Sequence, residues 1–129
     1  MNLALLITAA PGRENAWHAL KFCEAALAAG HQVSRVFFYG DGVLHANTLL
    51  TPPQDELNLH QAWATLAQTR GVELIVCVAA ALRRGMVDSD NARRAELPTH
   101  NVGAPYTISG LGQLVESMLE ADRFVSFAG

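Results

Sequence analysis

Apolar positions along the chain fall in short blocks separated by glycine, proline and charge, and the blocks alternate between two periods. Leu3 to Thr8 is a continuous apolar run broken by Ala9-Ala10-Pro11-Gly12, which predicts a short buried strand. From Asn15 to Ala29 small or apolar residues recur at Ala16, Leu20, Cys23 and Leu27, with Gly30 behind them, so a helix is expected with a glycine stop. Val33 to Tyr39 is β-branched and aromatic and predicts a second strand, ended by Gly40-Asp41-Gly42. Residues 43 to 54 carry no clear period, and Thr51-Pro52-Pro53 forbids a helix through that point, so a long loop with at most one helical turn is expected.

Asp55 is the expected N-cap of the next helix, whose apolar face is Leu59, Ala62, Trp63, Leu66 and Ala67 and which closes at Arg70-Gly71. Val72 to Cys77 is the most apolar stretch and reads as a third strand. The small, helix-favouring run Val78 to Gly85 follows at once and predicts a helix over 79–84. Asp88 then caps a short polar helix through Arg94, and Pro98 to Tyr106 reads as loop with a short extended piece. Ser109 caps a helix carrying Leu111, Leu114, Val115, Met118 and Leu119 on one face, and Phe124 to Phe127 is a last strand. Strands alternating with single helices require right-handed crossovers. The expected fold is therefore α/β, one small doubly wound, Rossmann-like domain over residues 1–129. Its mainly parallel five-stranded sheet carries helices on both faces, and its chemistry gathers beyond the carboxyl ends of the strands.

Composition narrows the function without choosing it. At 129 residues the chain can bury roughly two-thirds of its unfolded surface. Half its residues are apolar and only 16% are charged, a balance that leaves room for a buried subunit interface. A net charge of −3 with no Lys/Arg block argues against direct nucleic-acid binding. No apolar run reaches membrane-spanning length, and Asn2 to Ile7 lacks the basic flank and cleavage site of a signal peptide, so the cytoplasm is expected. Two cysteines, Cys23 and Cys77, make no disulfide framework in such a compartment.

Cys77 is the candidate chemical residue, because a thiol between a strand's carboxyl end and a helix's amino end meets N–H groups that favour its thiolate. The alternative is packing, since free cysteine is among the most buried residue types. Cys23 lies on the apolar stripe of the first helix and reads as packing. Arg83 and Arg84 lie about 9 Å along the helix from Cys77 and suit the helix C-terminus, or an acidic partner, better than the sulfur. The five histidines show no metal-ligand spacing, and none is assignable as a base for Cys77, although His45 and His60 stand nearest the long loop. Gly40-Asp41-Gly42 lacks the rest of a dinucleotide fingerprint and reads as a turn. Trp17 and Trp63 read as packing or interface anchors.

Phe37-Phe38-Tyr39-Gly40-Asp41-Gly42-Val43 with Ala46-Asn47, then Ala62-Trp63, then Cys77-Val78-Ala79-Ala80-Ala81-Leu82-Arg83-Arg84-Gly85, then Ser109-Gly110-Leu111-Gly112, resemble in order the TusD/DsrE sulfurtransferases. The cysteine-bearing stretch is the specific part. The resemblance implies a sulfur-relay subunit with Cys77 as its active cysteine and with no metal, nucleotide or organic cofactor. It further implies a heterohexamer with TusB-like and TusC-like subunits. Persulfide sulfur would arrive from a TusA-like carrier and leave to a TusE-like one, towards 2-thiouridine at the tRNA wobble position. In the DsrE branch the same chemistry implies dissimilatory sulfur metabolism. A persulfide relay needs one exposed, low-pKa thiolate, and the alanines at 79–81 would let a partner approach it. Two other classes stay open: a non-catalytic subunit with Cys77 buried, and a small nucleotide- or flavin-binding domain.

Overall fold

Each predicted strand and each glycine stop has a counterpart in the computed structural model, which describes every residue, 1–129. In chain order the elements are β1 (Asn2–Ile7), α1 (Glu14–Ala28), β2 (Gln32–Phe38), a 3-10 helix (Gly40–Ala46), α2 (Leu59–Arg70), β3 (Glu73–Cys77) and α3 (Val78–Arg83). They continue with α4 (Ser89–Arg94), β4 (Tyr106–Ser109), α5 (Gly112–Glu120) and β5 (Arg123–Phe127). The five strands make one sheet in the order β4-β3-β2-β1-β5, and all four pairings are parallel. The α/β architecture with a parallel five-stranded sheet is therefore as expected. No helix is long and apolar enough to cross a membrane.

The strand order decides how the faces are covered. Right-handed connections from β1 outward to β4 place α1, α2 and the α3–α4 pair on one face. The return from β4 to β5 crosses the other way and leaves α5 alone on the opposite face. On the first face Phe38 meets Trp63 edge-on at 5.8 Å between ring centroids and Tyr106 at 5.9 Å, and all three are buried. Helix α1 packs Ala16, Ala19, Leu20, Cys23, Ala26 and Leu27 inward and closes in a Schellman turn. There the Gly30 N–H donates to Leu27 O and the His31 N–H to Ala26 O, with Gly30 at φ +90°. Of the two tryptophans only Trp63 is a core residue, while Trp17 is 47% exposed.

Several expectations require correction. The cap of α2 is Asn58, whose side chain accepts from the Gln61 N–H, and not Asp55. Gly40-Asp41-Gly42 does more than end a strand, because it starts the 3-10 helix. The extended piece expected before Tyr106 is β4 at 106–109, so Ser109 is a strand residue and α5 begins at Gly112 without it. Asp88 does cap α4, accepting from the Asn91 N–H.

The largest departure is the orientation of α5. Of its expected apolar face only Leu114 packs on the core, while Leu111, Val115 and Met118 are about half exposed and Leu119 is 81% exposed. The cause is Arg35, which β2 directs onto this face of the sheet. A largely buried guanidinium needs acceptors. Its Nη1 donates to Gln113 O and to Ser117 Oγ, both at 3.2 Å, and its Nε donates to Glu73 Oε1 at 2.9 Å. Helix α5 thus turns its polar side inward and its apolar side out.

Gly42 has no room for a side chain. A Cβ there would stand 1.9 Å from Ile7 O and 2.8 Å from Ile7 C, because the 3-10 helix crosses the end of β1 at contact distance. Gly42→Ala is expected to destabilise the fold by about 1–3 kcal/mol, the usual cost of overpacking. Thermal unfolding followed by circular dichroism checks this, and Gly12→Ala, where a Cβ meets nothing within 4 Å, is the control.

Candidate active site

Cys77 is the last residue of β3, an interior strand flanked by β2 and β4, and it is also the N-cap residue of α3. The sequence places it correctly at the carboxyl edge of the sheet. Its exposure is 2%, so the thiol of the lone chain is enclosed, as the packing alternative expects, and not presented to solvent as a relay thiol is expected to be. Its side chain makes no cap hydrogen bond to α3, and that helix is only six residues long. The helix N-terminus therefore does not hold the sulfur in this arrangement. Of the alanines expected to leave an approach path, Ala80 and Ala81 are buried and only Ala79 is exposed.

The ladder with β4 continues through the site and pairs Cys77 with Ser109. Side chains alternate across a strand. Leu74 and Val76 share a face with their partners Tyr106 and Ile108, the face on which Phe38 packs against Trp63 and Tyr106. Cys77 and Ser109 consequently share the other face, the one that carries α5.

The candidate bases are occupied elsewhere. His45 is fully buried, with Nε2 3.0 Å from Ala9 O and Nδ1 without a partner. Burial pushes its pKa down to about 4, against the raising effect of the Ala9 hydrogen bond and with a further lowering by His60. His60 Nδ1 meets His45 O at 2.8 Å, and its ring stacks on Tyr106 at 4.9 Å. Tyr106 donates from its hydroxyl to His60 O at 2.7 Å, and burial raises its pKa. These groups tie the 3-10 helix, α2 and β4 together, and neither histidine hydrogen-bonds Cys77. Tyr106 is a linking residue that sequence reading missed, since it fell at the end of a stretch read as loop.

Arg84 folds back rather than reaching the sulfur. Its Nη1 donates to Ala80 O at 3.0 Å, and its Nε donates to Asp41 Oδ1 at 2.9 Å. Arg84 thus caps its own helix and joins it to the Gly-Asp-Gly turn, while Arg83 stays exposed and makes no ion pair. Cys23 is fully buried, and burial pushes its thiol up to about 12, so it is a packing residue as expected. No group of three or more His, Cys, Asp or Glu is arranged to hold a metal ion.

The topological switch lies between β1 and β5, away from Cys77. The loop after β1 opens there into a cleft of about 740 Å³, lined by Pro11, Arg13 and Trp17 on one side and by Leu50, Pro52 and Leu57 on the other. Cys77 does not line it. The Pro11-Gly12 loop therefore shares the carboxyl edge with the cysteine but not its surroundings.

The comparisons with known proteins agree with one another. The model of the DsrE/DsrF-like family matches residues 1–127. A "Sulfurtransferase TusD homolog" of Pseudomonas aeruginosa is 46% identical over 129 residues, spanning 100% of this chain and 98% of the relative. "Sulfurtransferase TusD" of Enterobacter sp. (strain 638) is 47% identical over 128 residues, covering 98% and 100%. Among solved structures, the ychN protein from E. coli superposes with a TM-score of 0.77 over 98% of this chain and 99% of that one. It is 19% identical, so this likeness supports the fold alone. With a family model spanning nearly every residue and relatives close to half identical from end to end, the chain belongs to the DsrE/DsrF-like family, alongside the TusD sulfurtransferases.

Proposed function

We propose that this sulfurtransferase acts as one domain over residues 1–129 and carries sulfur on Cys77 as a transient persulfide. The observation that carries the reading is the placement of Cys77 at the carboxyl edge of an interior strand, in a chain similar to TusD over its whole length. In the first step the Cys77 thiolate attacks the terminal sulfur of a donor persulfide. The donor's S–S bond breaks, a Cys77 S–S bond forms, and the donor leaves as a thiolate. In the second step an acceptor thiolate attacks the outer sulfur and Cys77 leaves as the thiolate. The electrons balance within each exchange, so no oxidant or cofactor is consumed.

The donor in this reading is a TusA-like carrier and the acceptor a TusE-like one, acting in the cytoplasm towards 2-thiouridine at the tRNA wobble position. The chain's net charge of −3 fits a role that leaves the tRNA to a later component. In cells lacking this chain, the wild-type sequence is expected to restore wobble 2-thiouridine, measured by mass spectrometry of digested tRNA, and Cys77→Ser is not. Restoration by Cys77→Ser, or 2-thiouridine unaffected by loss of the chain, overturns this assignment, and the latter outcome directs the sulfur to a DsrE-type dissimilatory route.

The assembly is a heterohexamer with TusB-like and TusC-like subunits, and the outward stripe of α5 supports it. Leu111, Val115, Met118 and Leu119 form an apolar patch on a helix that carries two glutamates and no basic residue. Two copies of such a face would oppose like charges, which favours an unlike partner. Val115→Glu with Leu119→Glu is expected to abolish co-elution with those subunits in size-exclusion chromatography while leaving the chain's own circular dichroism unchanged. Intact co-elution removes α5 from the interface.

The 2% exposure of Cys77 favours a second reading, in which the chain is a non-catalytic subunit and the thiol only packs. Native-state alkylation separates the two. A carrier thiol is modified through local opening while Cys23 stays protected, whereas a packing thiol is protected as long as Cys23 is.

A further inference from the structure

We propose that the Arg84–Asp41 ion pair is a latch that keeps Cys77 enclosed, so that sulfur exchange runs through an open form in which α3 has left the 3-10 helix. The proposal deepens the reading of Cys77 as carrier and rests on it. An exchange needs the attacking sulfur in contact with a partner's S–S bond, and a thiol 2% exposed reaches none until a covering element moves. Two elements meet at the end of β3. One is α3, which starts at the next residue, and the other is the 3-10 helix, which packs against both β3 and α3.

Of the two, α3 is the weakly held one. Its six residues lie between Cys77 and the buried Met86, and only Ala80 and Ala81 among them are buried. Two alanines bury little apolar surface, and Leu82, the largest apolar side chain of the helix, is 43% exposed. The one side-chain bond that leaves this helix comes from its C-cap residue. Arg84 Nε donates to Asp41 Oδ1 at 2.9 Å while Nη1 donates to Ala80 O at 3.0 Å. One guanidinium thus closes the last turn of α3 and fastens that turn to the 3-10 helix. Few buried apolar contacts and a single ionic tether are what a segment needs in order to open while the sheet beneath it stays formed.

The test is alkylation of the native full chain by iodoacetamide at one fixed pH, with Cys77 and Cys23 read separately by peptide mass. Asp41→Asn and Arg84→Gln are each expected to speed modification of Cys77 by about threefold, the scale of a partly exposed ion pair. Cys23 is expected to stay as protected as in the wild type. The double variant is expected to be no faster than either single one, because both remove the same contact. A purely electrostatic influence on the reacting sulfur would instead move the two variants in opposite directions, since one removes a negative charge and the other a positive one. Opposite directions, unchanged rates or additive effects in the double variant each overturn the latch. So does a matching acceleration at Cys23, because the whole fold would then have loosened. Persulfide loading of the same samples keeps the two claims apart. Faster alkylation without any loading leaves the latch standing and removes the carrier reading, whereas loading with unchanged alkylation does the reverse.

Discussion

Cys77→Ser is expected to lower sulfur acceptance by about a hundredfold or more, to the level of the uncatalysed exchange, because serine cannot form the S–S bond that defines the step. Cys23→Ser is expected to leave acceptance near the wild-type rate. The two thiols differ in position rather than in burial. Both are enclosed, but Cys77 ends a strand at the carboxyl edge and begins a six-residue helix, whereas Cys23 lies mid-helix in the core with its thiol pushed up to about 12. Access to Cys77 needs only the local edge of the sheet to open. Access to Cys23 needs α1 to leave the sheet, a far costlier motion. The Cys77→Ser fold is expected to persist with a loss of about 1 kcal/mol, the cost of enclosing a hydroxyl with partial compensation. An acceptance assay with purified persulfide donor, run on chains of matched circular dichroism, reads the difference.

Acidification is expected to destabilise the protein through His45, independently of its sulfur chemistry. His45 has its ordinary value of 6.5 when unfolded and about 4 when folded, because burial disfavours its charged form. Between those values the unfolded chain binds the extra proton, so stability falls as pH falls from about 6.5 towards about 4 and levels off below. The full gap corresponds to about 3 kcal/mol, and about 2 kcal/mol of it is lost between pH 7.5 and pH 5. Urea unfolding at those two pH values checks the loss. His45→Gln, which retains a donor for Ala9 O, is expected to remove most of this dependence. An unchanged pH dependence in His45→Gln would place the acid sensitivity elsewhere.

The β-branched blocks and glycine stops made most of the fold readable in advance. Runs such as Val33 to Tyr39 can be little else, and Gly30 and Gly71 sit at positive φ where helices end. Strand β4 was harder, since four residues after a prolyl loop carry too little periodicity to separate a strand from an approach to a helix. The orientation of α5 was misjudged because periodicity reports that a helix has an apolar face, not which way it points. Arg35 held the missing signal. A charged residue inside a parallel-sheet strand implies that the face above it is polar, and Gln113 and Ser117 supply that polarity. The position of Cys77 is legible in the sequence, and so is its enclosure as the packing alternative, because free cysteine is among the most buried residue types.

The central claim is that sulfur resides on Cys77, and the most direct test is the intact mass of the chain after exposure to a persulfide donor. A gain of one sulfur, about 32 Da and removable by a reductant, is expected in the wild-type chain and in Cys23→Ser, and no gain in Cys77→Ser. A reductant-sensitive sulfur retained in Cys77→Ser would contradict it.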